Sequence, residues 1–228
     1  MPFRAWLPGK VVSFCIVPLA SALKGGACGA LAGHVVKEKN YFWRGADLME
    51  RVQLHLLLSR EQIASLIQTL ADQISRDYAE RELVLVCILK GAFMLLADLI
   101  RHLRVPAQVD FVRLASYGSG TKTSGRVEIT KNIEISVEGK DVLIVEDIID
   151  SGHTVRFLKD RLALSKPRSV KVVALLDKKA RREVPMEADY VGKEVEDLFV
   201  VGYGIDFNES YRNLPEIYYV TPENPKKD

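Results

Sequence analysis

Cysteine is scarce in this 228-residue sequence, and its three copies show no pairing pattern. Cys15, Cys28 and Cys87 are widely spaced, and the sequence contains neither a CxxC motif nor a cysteine–histidine cluster with the spacing of a zinc site. These absences argue against a disulfide framework and against a structural metal site. They fit a reducing, intracellular setting, so we expect a cytoplasmic protein.

The motifs of several common enzyme classes are also missing. There is no GxxxxGK[ST] motif and no GxGxxG following a predicted strand, which argues against a nucleoside-triphosphate or dinucleotide-binding protein. No Ser–His–Asp arrangement is visible. The formal net charge is only +2, so composition argues neither for nor against a polyanionic partner.

The N-terminal segment contains no apolar run long enough to cross a membrane. The apolar stretch at residues 11–22 is interrupted by Pro18, so it is too short to span a bilayer. With basic residues before it and small residues after it, it faintly resembles a secretion signal. The alternative is that Met49 is the natural start. We expect residues 1–48 to be an atypical, poorly ordered extension preceding a domain of residues 49–228.

The rest of the chain has the composition and patterning of a globular domain. The full sequence is 48% hydrophobic and 27% charged, and it is long enough for one large core. Predicted helices are 60–77, opened by a capping box of Ser59 and Gln62, 92–103 and 154–164. Predicted strands are 83–89, 109–115, 142–145 and 170–176, with half-buried segments at 127–129 and 133–137 and shorter late strands at 199–202 and 217–220. This alternation predicts an α/β fold with a mostly parallel twisted sheet flanked by helices.

Residues 142–154 carry the clearest chemical signal. A strand expected to be buried on both faces is followed by three acids and then by a small-residue turn that opens a helix; these are Glu146, Asp147 and Asp150, then Ser151, Gly152, His153 and Thr154. Loops at the carboxyl ends of parallel strands bind ligands, and a helix N-terminus favours phosphate. Carboxylates suit sugar hydroxyls, a metal or a proton. One loop with both chemistries predicts a phosphorylated sugar as ligand.

The same acids have structural interpretations. Glu146 and Asp147 could form a solvated turn, although carboxylates about 6 Å apart repel by roughly 3 kcal/mol at an effective dielectric of about 20. No basic partner lies near them in the sequence. Asp150 could be a helix N-cap.

Residues 116–126 are the clearest loop in the sequence. They contain three glycines and five Ser or Thr residues, a composition that cannot build a core. Long polar loops in compact domains are often lids, and the alternative is a plain surface hairpin.

Five motifs in order resemble the 6-oxopurine phosphoribosyltransferases, the hypoxanthine–guanine family, of the bacterial type, over residues 49–222. They are the phosphoribosyl diphosphate signature at 142–154, the pyrophosphate loop at Leu89-Lys90-Gly91, the lid residues Ser116-Tyr117, the purine-reading Lys178, and the base and metal segment 199–206 with Arg212. The first motif is common to phosphoribosyltransferases, and the later ones narrow the resemblance to 6-oxopurines. The resemblance implies a type I phosphoribosyltransferase fold with a small hood and a mobile lid loop.

The resemblance also implies a role for each matching residue. Asp150 is implied to be the general base at purine N7. Phosphoribosyl diphosphate is implied to contact Lys90, Gly91, Ser116, Tyr117, Glu146, Asp147, Asp150, Ser151, Gly152, His153, Thr154 and Arg212. The purine is implied to contact Lys178, Phe199 and Val200. Mg²⁺ is implied to be held by Asp206, Glu146 and Asp147.

Three of these residues have plain structural alternatives. Without the resemblance, Lys90 would be interpreted as a lysine at a strand end that reaches into water. Phe199 would be interpreted as a core residue, and Lys178 as a surface charge. The resemblance further implies a non-proline cis peptide in the Lys90-Gly91 segment.

The implied function is purine salvage. The enzyme would transfer 5-phosphoribosyl from phosphoribosyl diphosphate to N9 of hypoxanthine or guanine, giving IMP or GMP plus pyrophosphate, with Mg²⁺ as cofactor. Its partners would be these small molecules and further copies of itself, in a homodimer or homotetramer, with no nucleic acid and no membrane. A regulatory domain that senses nucleotides and binds RNA is the alternative from another class, but the basic cluster at 178–182 is short for it. A second enzyme alternative is a relative of this family that prefers xanthine as its purine.

Overall fold

The computed structural model describes residues 52–117 and 126–222. The predicted extension, residues 1–48, and most of the predicted lid, residues 118–125, lie outside this part of the chain. The elements in chain order are β1 (Val52–Leu58), α1 (Arg60–Asp77), β2 (Leu83–Leu89), α2 (Phe93–His102), β3 (Ala107–Tyr117), β4 (Arg126–Lys131), β5 (Asp141–Ile149), α3 (His153–Ala163), β6 (Ser169–Asp177), β7 (Tyr190–Glu194), β8 (Val200–Val201) and β9 (Ile217–Pro222). A single 3₁₀ turn, Lys179–Arg181, follows β6.

The main sheet has six strands in the order β4-β3-β2-β5-β6-β7. Every neighbouring pair is parallel except β3 with the edge strand β4, which is antiparallel. The predicted mostly parallel sheet is therefore confirmed. A separate three-stranded antiparallel sheet, β1-β9-β8, forms the small hood that the resemblance implied.

Side chains of the central strands alternate between two apolar layers. One layer contains α1, α2 and the inner side chains Leu85, Cys87, Leu143 and Val145. The other contains α3 and the side chains Val84, Val86, Val142 and Ile144. Because both faces are covered, β2 and β5 are continuous apolar runs, as is typical of buried parallel strands.

Helix α1 begins as the sequence predicts. The Ser59 hydroxyl accepts the Gln62 backbone N–H at 3.3 Å, and the Ser59 backbone N–H donates to Gln62 Oε1 at 2.9 Å. The reciprocal bonds satisfy two amides of the first turn. No helix in the described ranges has the length and apolar character needed to cross a bilayer.

The structure differs from the sequence prediction in four places. Strands β1 and β7 were not predicted. Residues 133–137 form no strand, because the Ile135 backbone N–H donates at 2.8 Å to the buried carboxylate of Asp110 rather than to a neighbouring strand. Strand β5 extends to Ile149, so Glu146 and Asp147 lie within the strand and not in the loop beyond it.

Candidate active site

Three neighbouring parallel strands deliver the predicted residues to one edge of the sheet. Lys90 directly follows the last residue of β2, Asp150 that of β5 and Lys178 that of β6. The register pairs Ile149 with Asp177, so Asp150 and Lys178 leave the sheet side by side. The structure has a non-proline cis peptide bond between Leu89 and Lys90, one bond before the Lys90-Gly91 peptide at which the resemblance implied it.

Glu146 is a buried carboxylate, and one of its two oxygens has no hydrogen-bond partner among the described residues. Its exposure is 8%, and that oxygen is Oε2. Burial, and then the charge of Asp147, raises the pKa of Glu146 well above its ordinary value. The alternative of a solvated turn is therefore wrong for Glu146. A buried polar oxygen without a hydrogen-bond partner is a candidate for binding a ligand.

Asp147 is packed beneath the loop that follows β2. A Cβ atom at Gly91 would overlap its Oδ2, so the backbone can approach the carboxylate only because residue 91 is glycine. Burial raises the pKa of Asp147 to about 6, although backbone N–H groups and the Arg212 guanidinium oppose the shift. Arg212 is the basic neighbour that proximity in sequence did not reveal.

Replacing Asp147 by asparagine should raise the free energy of unfolding near pH 8 and leave it almost unchanged near pH 4. The folded-state pKa of about 6 exceeds the ordinary value of 3.8, so ionisation is less favourable in the folded chain. This penalty is absent below the ordinary value, grows as the pH rises between the two values, and is complete above the folded value. The expected gain is on the order of 2 kcal/mol.

Urea denaturation at both pH values, with EDTA present, measures this gain. Asp160→Asn is the control, because Asp160 is an exposed carboxylate on α3. An Asp147→Asn effect of equal size at both pH values would contradict the assignment to ionisation.

Asp150 lies between two cations. Its Oδ2 is 3.4 Å from Lys178 Nζ and its Oδ1 is 3.1 Å from Arg181 Nε. Lys178 is only 6% exposed, so the interpretation of this residue as a surface charge is wrong. Asp150 does not cap α3 either, since the residue before the helix is Gly152 and no side-chain cap bond is present there. The sequence did not identify Arg181 as a partner of Asp150, because nothing in the basic cluster at 178–182 distinguishes the residue that contacts this carboxylate.

The loop before α3 depends on a glycine in the left-handed region. Gly152 has φ +87, and a Cβ there would lie 3.0 Å from Arg182 Cδ. The Arg182 Nη1 atom donates to the Asp150 carbonyl at 2.8 Å, so the Arg182 side chain packs against this loop where only a glycine leaves it room. Ser151 and Thr154 flank this turn and are half-buried. His153 Nε2 lies 3.0 Å from a Glu183 carboxylate oxygen, a contact that the sequence did not predict.

The segment after β7 places an exposed aromatic ring beside an acidic turn. Phe199 is 51% exposed, so its interpretation as a core residue is wrong. Its ring meets Phe207 edge-on at 5.2 Å between centroids. Val200 is buried in β8, paired with Tyr219.

Asp206 and Arg212 form an ion pair next to these rings. Arg212 Nη2 is 2.8 Å from Asp206 Oδ1, and Arg212 Nη1 donates to the Gly204 carbonyl at 2.9 Å. The backbone of this turn lies so close to the loop after β2 that a Cβ atom at Gly204 would overlap the Gly91 carbonyl oxygen. Lys90 Nζ also reaches across to Glu209, at 2.8 and 2.9 Å. Glu209 was missed, since nothing in its local sequence marks it.

Ser116 and Tyr117 end β3, where they pair with Val127 and Arg126 of β4. The strands are antiparallel, so the predicted lid connects two arms of a hairpin. The first two residues of the predicted lid, Ser116 and Tyr117, are therefore the last two residues of β3.

The carboxylates at this edge suit a hard divalent cation. No cluster of three or more metal-ligating side chains occurs in the described part of the chain, so these residues do not form a preassembled three-carboxylate metal site. Mg²⁺ usually takes one or two protein carboxylates together with water and substrate oxygens. The unpaired Oε2 of Glu146 and the Asp206 carboxylate are oxygen donors of the required kind.

Comparisons with known proteins agree on one family. The sequence profile described as "Phosphoribosyl transferase domain" matches residues 56–208. The hypoxanthine-guanine phosphoribosyltransferase of Aquifex aeolicus is 46% identical over 169 residues, which cover 74% of this chain and 95% of that protein. The protein of the same name from Bacillus subtilis is 44% identical over 167 residues, which cover 73% and 93%.

Solved structures give the same picture. A hypoxanthine-guanine phosphoribosyltransferase from Bacillus anthracis, with a HEPES molecule in its active site, matches with a TM-score of 0.71 and 45% identity over 75% of this chain and 99% of that chain. A hypoxanthine phosphoribosyltransferase from Staphylococcus aureus matches with a TM-score of 0.72 and 43% identity over 74% of this chain and 91% of that chain.

Proposed function

The chain belongs to the phosphoribosyltransferase family and, within it, to the hypoxanthine-guanine phosphoribosyltransferases, and on this premise we propose how its residues carry out the reaction. The reaction is purine salvage: 5-phosphoribosyl passes from phosphoribosyl diphosphate to N9 of hypoxanthine or guanine, giving IMP or GMP and pyrophosphate. The proposed site is the carboxyl edge of the six-stranded sheet.

The observation that carries the proposal is the contact between Lys178 and Asp150, 3.4 Å apart and anchored on adjacent strands. A 6-oxopurine presents an acceptor, O6, and a proton on N7 along the same edge. Lys178 would donate to O6 while Asp150 takes the N7 proton, as a general base within hydrogen-bond reach. Adenine carries a 6-amino donor in place of O6, so it offers the Lys178 ammonium no acceptor at this position.

The remaining purine contacts come from the segment after β7. The exposed face of Phe199 would stack on the ring, and the Val200 backbone would bond the base edge. Neither residue has a titratable group, so their contribution is position and exclusion of water.

The sugar phosphate would occupy the end of β5 and the start of α3. Glu146 and Asp147 would hold the ribose hydroxyls, directly or through Mg²⁺. The amides of residues 151–154, with the Ser151 and Thr154 hydroxyls, would hold the 5′-phosphate at the N-terminus of α3. His153 would contribute its backbone there, while its ring faces Glu183.

The leaving pyrophosphate would lie between the loop after β2 and the turn before β9. Lys90, the Gly91 amide and Arg212 would neutralise it, and Ser116 and Tyr117 would cover it when the lid closes. Asp206 would hold the Mg²⁺ that carries pyrophosphate, and Glu146 and Asp147 are the candidate ligands for Mg²⁺ at the ribose hydroxyls. The ion supplies charge stabilisation at the departing oxygen when it is bound.

In the transfer itself the bond from ribose C1 to pyrophosphate oxygen breaks and the bond from C1 to purine N9 forms. The bonding pair leaves with pyrophosphate, so positive charge develops on the ribose as in an oxocarbenium ion. Asp150 removes the N7 proton, which keeps the purine a neutral product rather than a cation. Closing the lid would protect the reactive sugar from water.

A turnover assay with phosphoribosyl diphosphate, Mg²⁺ and each of hypoxanthine, guanine, xanthine and adenine tests this function. We expect hypoxanthine and guanine to react and adenine to fail. Lys178→Met should lower kcat/KM for the two 6-oxopurines by about 10–100-fold and should narrow the gap to adenine. Lys179→Met is the control, because Lys179 is exposed and pairs with Glu194. Rapid use of adenine by the unaltered enzyme would refute the role of Lys178.

Two further properties belong to this proposal. We expect a homodimer or homotetramer in the cytoplasm, because the substrates are intracellular and the family resemblance implies an oligomer. Light scattering of the purified protein measures the oligomeric state. Turnover with xanthine would place the chain nearer the xanthine-preferring relatives.

A further inference from the structure

Glu209 occupies the two cationic side chains that the proposed function assigns to pyrophosphate. Its carboxylate oxygens accept hydrogen bonds from Lys90 Nζ at 2.9 and 2.8 Å, and Oε2 also accepts one from Arg212 Nη2 at 3.3 Å. A carboxylate and a phosphate make the same kind of charge-assisted hydrogen bond to such donors. An internal anion therefore lies where the leaving group is expected to bind.

The backbone around Glu209 is shaped to present this carboxylate. Asn208, Glu209 and Tyr211 have φ of +50, +61 and +72, a region that side-chain-bearing residues adopt only where their surroundings hold them. The Glu209 backbone N–H donates to Asp206 Oδ2 at 2.8 Å. The residue is thus tied to the same turn that supplies the proposed metal ligand.

The contact is charged and yet easily exchanged. The hydrogen bonds from Lys90 and then Arg212 lower the pKa of Glu209, so the carboxylate is ionised at neutral pH. The Glu209 and Lys90 side chains are 65% and 46% exposed. Exposed ion pairs contribute little net stability, so an incoming phosphorylated ligand can displace this one.

We propose that Glu209 is an internal competitor for the pyrophosphate group, bound to Lys90 and Arg212 when the site is free and displaced when phosphoribosyl diphosphate or pyrophosphate enters. The inference rests on the proposed function. Its return to the two cations after transfer would hasten the release of pyrophosphate. The apparent affinity for the ligand is then reduced by the fraction of enzyme in which Glu209 occupies the cations.

The test compares Glu209→Gln with the unaltered enzyme by calorimetric titration of inorganic pyrophosphate in Mg²⁺, without purine. Glutamine keeps the size of the side chain and removes its charge. We expect the Kd for pyrophosphate to fall by roughly three- to tenfold, the KM for phosphoribosyl diphosphate to fall in parallel, and kcat to fall because product leaves more slowly. A residue that merely supports the fold would instead raise KM when altered.

Two comparisons sharpen the test. Glu134→Gln makes the same change of charge at an exposed glutamate paired with Lys131, in the segment that follows β4, and should leave the Kd unchanged. In a Lys90→Met background the Glu209→Gln gain should shrink, since one of the two contested cations is gone. Glu209→Gly is a second variant if the glutamine form folds poorly, because glycine accepts the positive φ at this position.

An unchanged or weaker affinity for pyrophosphate in both Glu209 variants would overturn the proposal. Failure of the proposed function would look different. The unaltered enzyme would then turn over no purine, whereas the calorimetric comparison with pyrophosphate would still report on Glu209.

Discussion

Replacing Asp150 by asparagine is expected to lower kcat by about 10²–10⁴-fold, the usual contribution of a positioned general base. Asparagine matches aspartate in size but cannot accept the N7 proton. Most of the contacts that we propose for the sugar diphosphate come from other residues, so its Kd should stay within a few-fold of the unaltered value. Initial-rate kinetics with hypoxanthine and calorimetry with phosphoribosyl diphosphate measure the two effects separately.

The substitution also removes the carboxylate partner of a buried lysine. Lys178 is 6% exposed, and loss of one member of such a pair is destabilising. Thermal unfolding must therefore accompany the kinetics, so that only folded enzyme is compared. Asp160→Asn removes an exposed carboxylate on α3 and should leave kcat unchanged. If Asp150→Asn turned over at the normal rate, the base would have to be another group.

Replacing Gly204 by alanine should abolish most activity by separating the two loops that we propose hold pyrophosphate. Gly204 has φ +96, and its Cβ would overlap the Gly91 carbonyl oxygen. A backbone contact cannot yield as a side chain can, so the turn carrying Asp206 must move away from the loop carrying Lys90. Displacements of about 1 Å in a catalytic site can cost about 100-fold, and we expect at least this loss in kcat/KM for phosphoribosyl diphosphate.

Gly139 offers a matched control for this effect. It also lies in the left-handed region, at φ +71, but a Cβ atom added there would meet nothing within 4 Å. Gly139→Ala should therefore lose only the conformational cost, about 1–2 kcal/mol, with normal kinetics. Urea denaturation and initial rates for both variants separate backbone strain from loop displacement. Equal kinetic losses in the two variants would show that strain alone matters.

The carboxylates of Glu146, which is buried, and Asp147, which is half-buried, lie near the end of β5 and show how the fold prepares a site for chemistry. Glu146 and Asp147 follow four apolar residues of the strand, and their position on a covered sheet raises both pKa values. Such carboxylates are unfavourable for folding and become favourable when hydroxyls or a cation bind. The two carboxylates therefore lower the free energy of unfolding of the free protein but provide groups that can bind a ligand, a trade-off found at many functional sites.

The sequence alone determined the elements whose signals are local. The capping box at Ser59 and the periodicity after it defined α1, since a helix closes its hydrogen bonds within four residues. The apolar runs of β2, β5 and β6 are equally local, and their order placed Lys90, Asp150 and Lys178 at one edge. The identity of the family followed from motifs that are short and contiguous.

Only the tertiary structure decided which side chains meet across that edge. Glu209 reaches Lys90 from 119 residues away, Arg181 reaches Asp150 from 31, and β1 pairs with β9, the last strand of the described chain. Residues 133–137 alternate like a strand, yet a distant aspartate takes their amides. Contacts of this kind depend on how the sheet and loops close in space, and no pattern within a few residues encodes them.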